Sequence, residues 1–222
     1  MLGVVIPTYN EAENIRELIP RIKEVDKDIN IIIVDDNSPD NTSGIAKQLG
    51  AIVFVRKDER GIGSALKFGL EQGVKMGFKR LITMDADLSH DPKYIPALIS
   101  KDADLVIGSR YVKGGAIENW PLQRRLISSG ANSIARLLLR FNVRDATSGY
   151  RAYTPRAVEA ISPCKSADGY EFQICSVYHI FKSRLQIAEV PISFHDRERG
   201  KSKLDSQKIF KWFTYVLKLS LS

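Results

Sequence analysis

Short apolar, largely β-branched runs alternate with amphipathic stretches along the first half of this chain. Leu2 to Ile6 and Ile29 to Val34 read as strands buried on both faces, and Ala51 to Arg56, Arg80 to Met84 and Leu105 to Gly108 as further strands. Between them, Asn10 to Val25 places Ile15, Leu18, Ile22 and Val25 at helical spacing, and Ser43 to Leu49 and Gly63 to Met76 are also helical. Pro20 predicts that the first helix is kinked or shorter than its pattern. Alternating strands and helices imply right-handed crossovers and an α/β fold, with a mainly parallel sheet covered by helices on both faces.

After Arg110 the rhythm changes. Trp120 to Phe141 reads as one long amphipathic helix, Gly169 to Lys182 as another, and Gln186 to Phe194 as a strand that Pro191 assigns to a sheet edge. Lys203 to Ser222 is a basic, aromatic-rich helix. In it Lys208, Lys211, Tyr215 and Lys218 fall within roughly 80° at about 100° per residue. The apolar Ile209, Phe210, Trp212, Phe213, Val216, Leu217 and Leu219 occupy the rest. So wide an apolar arc predicts a helix lying in a membrane interface, with a docked core helix as the alternative.

Neither repeats nor low-complexity stretches divide the 222 residues, so one domain over 1–222 is expected. The composition, 44% hydrophobic and 27% charged, excludes a disordered chain. A net charge of +7 suggests an anionic partner: nucleotide phosphates, an acidic membrane or nucleic acid. Nucleic acid is disfavoured, because no aromatic-interleaved basic pattern appears. Cys164 and Cys175 have no metal-ligand spacing and read as reduced thiols in a cytoplasmic protein. The N-terminal Met1 to Pro7 reads as a strand and not a signal peptide, and no run of about 18 apolar residues predicts a membrane span.

The candidate chemistry lies where strands end. Arg80 to Met84 runs into Asp85-Ala86-Asp87, two carboxylates at i and i+2 that can converge on one hard divalent cation. Beyond the carboxyl ends of strands is where open α/β sheets bind ligands. Asp91-Pro92 reads as a helix start with Asp91 as its cap. Asp35-Asp36 follows another strand, where carboxylates could hold a nucleoside, while Asn37, Pro39 and Asn41 are ordinary turn chemistry. Gly61-Ile62-Gly63 is not a dinucleotide fingerprint, because position 66 is leucine; it reads as a turn entering a helix.

Taken in order, Pro7-Thr8-Tyr9-Asn10-Glu11, Val34-Asp35-Asp36-Asn37-Ser38-Pro39-Asp40, Asp85-Ala86-Asp87-Leu88, Gly108-Ser109-Arg110-Tyr111, Ser148-Gly149-Tyr150-Arg151 and Arg197-Glu198-Arg199-Gly200-Lys201-Ser202-Lys203 resemble family 2 glycosyltransferases of the GT-A fold. Within them the pattern is similar to the dolichyl-phosphate (polyprenyl-phosphate) mannose synthases. The resemblance implies a Rossmann-like GT-A sheet with C-terminal amphipathic helices. It also implies a nucleotide-sugar half over 1–110, an acceptor half over 111–203 and an interface helix over 204–222.

By the same resemblance Pro7, Tyr9, Glu11, Asp35, Asp36, Asp85, Ala86, Asp87, Arg197 and Lys203 hold GDP-mannose. Arg110, Arg124 and Ser128 hold the acceptor lipid phosphate, with Arg125 as the alternative to Arg124. Asp87 and Arg110 carry catalysis, and Ser148 to Arg151 with Glu171 form a wall beside the sugar. Asp87 and Ser89 hold Mg²⁺ or Mn²⁺; the family usually has glutamine at the Ser89 position, so water is expected to complete the shell. His90, His179 and His195 are taken as core or surface residues.

The implied reaction is inverting transfer of mannose to dolichyl or polyprenyl phosphate by a peripheral enzyme on the cytoplasmic face of a membrane, in a chain that some relatives extend into transmembrane helices. The alternatives are a UDP-glucose-dependent glucosyltransferase, a metal-dependent phosphatase suggested by Asp85-x-Asp87-x-Ser89, and a non-catalytic nucleotide-sugar-binding adaptor.

Overall fold

The computed structural model describes residues 1–196 and 206–221. Seven strands form one sheet in the order β3-β2-β1-β4-β7-β5-β8. These are β1 (Leu2–Thr8), β2 (Asn30–Asp35), β3 (Ile52–Val55), β4 (Arg80–Thr83), β5 (Leu105–Ser109), β7 (Arg151–Tyr153) and β8 (Ile187–Pro191), while β6 (Ala116–Ile117) pairs with β9 (Ser193–Phe194) in a separate ribbon. All pairings in the large sheet are parallel except those of β7, which lies antiparallel between β4 and β5. β8 is an edge, as Pro191 predicts.

The continuous apolar runs arise because both faces of each central strand are covered. Along β1, Val4 and Ile6 pack into one core and Val5 into the other; Ile31 and Ile33 against Ile32 and Val34 repeat this along β2. One face carries α1 (Ala12–Val25), α2 (Thr42–Gln48) and α4 (Ile95–Ile99). The other carries α3 (Ile62–Lys75), α5 (Leu122–Leu139), α6 (Pro155–Ala160), α7 (Glu171–Lys182) and α8 (Ser206–Ser220). Pro20 lies inside α1, which runs on through it to Val25.

The strand β7 escapes a pattern search because it is three residues long and begins with a fully buried arginine. Arg151 donates from Nε to the Ser148 carbonyl, from Nη1 to the Gln173 carbonyl and Ser176 Oγ, and from Nη2 to the Ala146 carbonyl, at 2.7–2.8 Å. Carbonyls around the guanidinium replace its water, which makes burial of the charge tolerable.

Cys164 and Cys175 form a disulfide, with Cα atoms 6.0 Å apart, which corrects the expectation of free thiols. The chain reverses between α6 and α7 and brings both buried side chains together, a proximity that linear spacing does not encode. Closing a loop of this length limits the unfolded chain and contributes about 3 kcal/mol. Cys164→Ala/Cys175→Ala is expected to lower unfolding free energy by about that amount in urea titrations; an unchanged midpoint would show that α6 and α7 hold this turn without the bridge.

The helix α8 docks through part of its apolar arc and leaves the rest exposed. Trp212, Val216 and Leu219 dock into the core beside α5 and α7, and Tyr215, expected among the lysines, packs there too. Phe210, Phe213, Leu217 and Leu221 remain exposed on another stripe, spanning roughly 80° of the helix. The helix α5 exposes Leu122, Leu126, Ile134 and Leu137. Among the described residues no helix is long and apolar enough to cross a membrane.

Candidate active site

The strand order reverses at β1, with β2 and β3 on one side and β4 on the other, and ligand crevices form at the carboxyl ends of such switch points. There β4 gives way to Asp85-Ala86-Asp87. Ala86 turns into the core, 4% exposed, so the flanking carboxylates are directed away from it and both line a cavity of about 200 Å³. Leu88 adopts a left-handed φ of 64°, and the turn is closed by Ser89 N–H donating to Asp87 Oδ1 at 3.2 Å. Asp91 caps the following 3₁₀ turn by accepting from Lys93 N–H, as expected.

Oxygen donors at this spacing suit a hard divalent cation, and the surroundings preserve room for one. Gly149 faces Asp85; a β-carbon there would lie 3.4 Å from Oδ1. Ser89, expected as a ligand, is 2% exposed, and the lining of the cavity does not include it. The structure therefore brings Asp85 and Asp87 to the cavity and holds Ser89 behind them through its backbone.

His90, expected as a core or surface residue, lines the same cavity. It stacks on Tyr150 at 4.9 Å, and its Nδ1 accepts from Asp85 N–H at 3.1 Å. Complete burial pushes its pKa down to about 4, so the imidazole is neutral at physiological pH and serves to fix the Asp85 backbone.

Elsewhere on the crevice rim, Asp35 accepts from Thr8 Oγ1, Ser38 N–H and Ser38 Oγ. Asp36 accepts a fork from Arg56, with Nε at 2.7 Å, and Gly61 N–H at 2.9 Å, which ties β2 to the start of α3. Both carboxylates brace the loops at the switch point. Pro7 sits at the end of β1 opposite Val34, Arg60 lies over the Tyr9 ring at 4.7 Å, and Glu11 accepts from Asn14 Nδ2. Arg197 and Lys203 lie outside the described residues.

The opposite wall carries two arginines, each paired with a carboxylate. Arg110 lines the cavity, but Asp145 grips its fork: Nε to Oδ2 at 2.8 Å and Nη2 to Oδ1 at 2.7 Å, with Thr147 Oγ1 also on Nη2. Burial alone would raise the Asp145 carboxyl; the charge and hydrogen bonds of Arg110 outweigh it and hold the pKa below the usual range. Arg124 stacks on Trp120 at 4.0 Å and pairs with Asp196 at 2.8 Å, and with Ser128 it lines the cavity. Arg125 donates instead to the Ile117 carbonyl and is not among the lining residues.

Two further lining residues carry no sequence signal. Trp120 Nε1 and Gln173 Oε1 are buried and lack hydrogen-bond partners within the described residues, a donor and an acceptor suited to a polar ligand. Glu171, expected beside the sugar, instead accepts from Gly169 N–H and pairs with Lys211 of α8 at 2.7 Å. Ile209 and Trp212 of α8, with Ile127 and Ala131 of α5, make the remaining wall apolar.

Residues 3–162 match the family model described as glycosyl transferase family 2. The chain is 38% identical to a polyprenol monophosphomannose synthase of Mycolicibacterium smegmatis, over 93% of this chain and 82% of that protein. It is also 38% identical to an undecaprenyl-phosphate mannosyltransferase of Micrococcus luteus, over 90% and 86%. A dolichol-phosphate mannosyltransferase of Pyrococcus furiosus is 38% identical over 98% of this chain and 63% of its own length. Among solved structures, glucosyl-3-phosphoglycerate synthase from Mycobacterium tuberculosis, in complex with Mn²⁺, UDP and glucosyl-3-phosphoglycerate, superposes with a TM-score of 0.73. At 22% identity, over 99% of this chain and 80% of the other, that match establishes a shared GT-A architecture.

Proposed function

We infer from one established premise, that this chain belongs to glycosyl transferase family 2, that it transfers mannose from GDP-mannose to a polyprenyl phosphate such as dolichyl phosphate. One observation carries the reading. A single cavity places the Asp85 and Asp87 carboxylates and the Arg124–Ser128 pair on its walls, and its apolar side reaches the surface through Ile127 and Ile209, each lining the cavity while at least 36% exposed. That combination suits a nucleotide diphosphate, a lipid phosphate and an alkyl chain leaving toward a bilayer. The names of the mannosyltransferase relatives support mannose and a polyprenyl phosphate.

In this reading Asp87, with Asp85 beside it, holds Mg²⁺ or Mn²⁺, which when bound neutralises charge on the departing diphosphate. Arg124, stiffened by Trp120, presents its guanidinium to the acceptor phosphate, and Ser128 offers a hydroxyl. Arg110, held in a fork by Asp145, lines the same wall as half of a neutral ion pair and keeps its shape. Trp120 Nε1 and Gln173 supply the polar contacts that orient sugar or phosphate. A phosphate monoester has a second pKa of about 6 and is largely ionised at neutral pH, so no side chain need remove a proton. His90 Nδ1 is already engaged by Asp85 N–H and is not a base. In-line attack on the anomeric carbon from the Arg124 side inverts the configuration and gives a β-linked mannosyl phosphate lipid. The exposed stripes of α5 and α8 hold the enzyme peripherally on the membrane that contains the acceptor.

The test is transfer itself. With Mg²⁺ or Mn²⁺ and a polyprenyl phosphate, label from GDP-mannose is expected in the organic phase. Label from UDP-glucose alone would assign a glucosyltransferase, and label retained in water from both donors would end the proposal.

A further inference from the structure

A second cleft, of about 380 Å³, shares no lining residue with the cavity above. Arg136 and Arg144 line it with Ser129, Ser133, Asn142 and Tyr111. With Asn132, its lining contains two guanidinium groups, hydroxyls and two amides, and no carboxylate. The neighbouring Glu189 is already engaged, its two oxygens accepting from Arg144 N–H and Asp145 N–H at 2.8 and 2.9 Å. Arg136 reaches Ser133 Oγ only at 3.4 Å, and its Nε is buried with no hydrogen-bond partner among the described residues. Two arginine forks lining a carboxylate-free cleft, one of them without a strong acceptor from the described residues, suit an external oxyanion.

The position of the cleft narrows the source. At about 100° per residue, Ser129, Ser133 and Arg136 share one side of α5, and the exposed ridge of Leu126, Ile134 and Leu137 follows directly around the helix. Beyond that ridge come Ile127, Ala131, Arg124 and Ser128, which line the catalytic cavity. If the ridge enters a bilayer, both openings lie at the depth of lipid headgroups. We propose that the Arg136–Arg144 cleft is a second phosphate-binding site, which seats the headgroup phosphate of an anionic membrane phospholipid beside the apolar ridge of α5.

The full chain would be mixed with vesicles of phosphatidylcholine, with and without phosphatidic acid, and separately with inorganic phosphate observed by ³¹P NMR. Arg136→Gln/Arg144→Gln is expected to lose about tenfold of the affinity for phosphatidic acid vesicles. Arg136→Lys/Arg144→Lys, which keeps the charge but not the fork, should recover little of it. Loss of phosphate binding in the Gln pair would likewise support the site, and if vesicle affinity stayed unchanged the source would be free phosphate. Native-like affinity for both vesicles and phosphate in the Gln pair overturns the proposal. So does full recovery by the Lys pair, which would mean diffuse charge and no built site. Neither readout involves sugar transfer, so failure here is distinct from failure of the proposed reaction.

Discussion

Asp87→Ala is expected to lower mannose transfer by about a thousandfold or more while leaving the fold intact. The rate effect follows from the proposed chemistry. Stabilisation of a departing diphosphate by a bound cation is worth several kcal/mol, and each 1.4 kcal/mol is about tenfold in rate. The structural effect is small because Asp87 is only half-buried, in a polar loop at the cavity, and the bond it accepts from Ser89 N–H, two residues on, is long at 3.2 Å. Losing such a bond costs about 1 kcal/mol. Organic-phase counts with saturating Mn²⁺ and a thermal melt would be run on the same preparation. Wild-type turnover in the variant would remove the cation from the reaction, and a collapsed melt would make Asp87 a structural residue.

Arg110→Ala should behave in the opposite way. Asp145 is 0% exposed, and its ion-pair partner is Arg110. Removing the guanidinium leaves a buried carboxylate uncompensated, a change that costs about 3–5 kcal/mol. In a protein of this size that corresponds to a melting temperature lower by roughly 10 °C or more. The double variant Arg110→Ala/Asp145→Ala should lose less than the two single losses added together, because the stranded charge is gone. The acid response has a defined sign. The Asp145 pKa is lowered by folding, so its contribution is present at neutral pH and is lost as pH falls through and below the ordinary carboxylate range of about 4. A change in Arg110→Ala stability below about 1 kcal/mol would show that Thr147, Ser148 N–H and the backbone of Arg110 suffice to hold Asp145. A loss of activity in this variant is interpretable as chemistry only below its melting transition.

The strand-and-helix rhythm was readable up to Ser109 because every central strand is covered on both faces and therefore apolar along its length. It failed at β7, where a three-residue strand starts with Arg151 and is held by carbonyls from the 146–148 segment and α7. The carboxylate pair was legible for a local reason: i and i+2 positions at a strand end share a direction. Its neighbours were not. Asp145 meets Arg110 across 35 positions, and His90 reaches the cavity through stacking on Tyr150 and packing on Phe194. Cys164 and Cys175 likewise meet through a chain reversal. Arg124 and Arg125 are indistinguishable in linear order, but 100° of helical rotation sends one into the cavity and the other to a backbone carbonyl. A helix with one apolar arc could not reveal that α8 divides it, docking Trp212, Val216 and Leu219 and leaving Phe210, Phe213 and Leu217 outside.

The bridge from Lys211 to Glu171 gives that division a consequence. It fastens α8 next to Tyr170 and Gln173, while Ile209 and Trp212, one turn apart on the same helix, roof the cavity between them. Under the proposed function, the segment that would grip the bilayer would thus also be a wall of the reaction chamber, with no spacer separating the two duties. Tuning adhesion by altering α8 would then reshape the chamber as well, and selection on one property would be felt by the other.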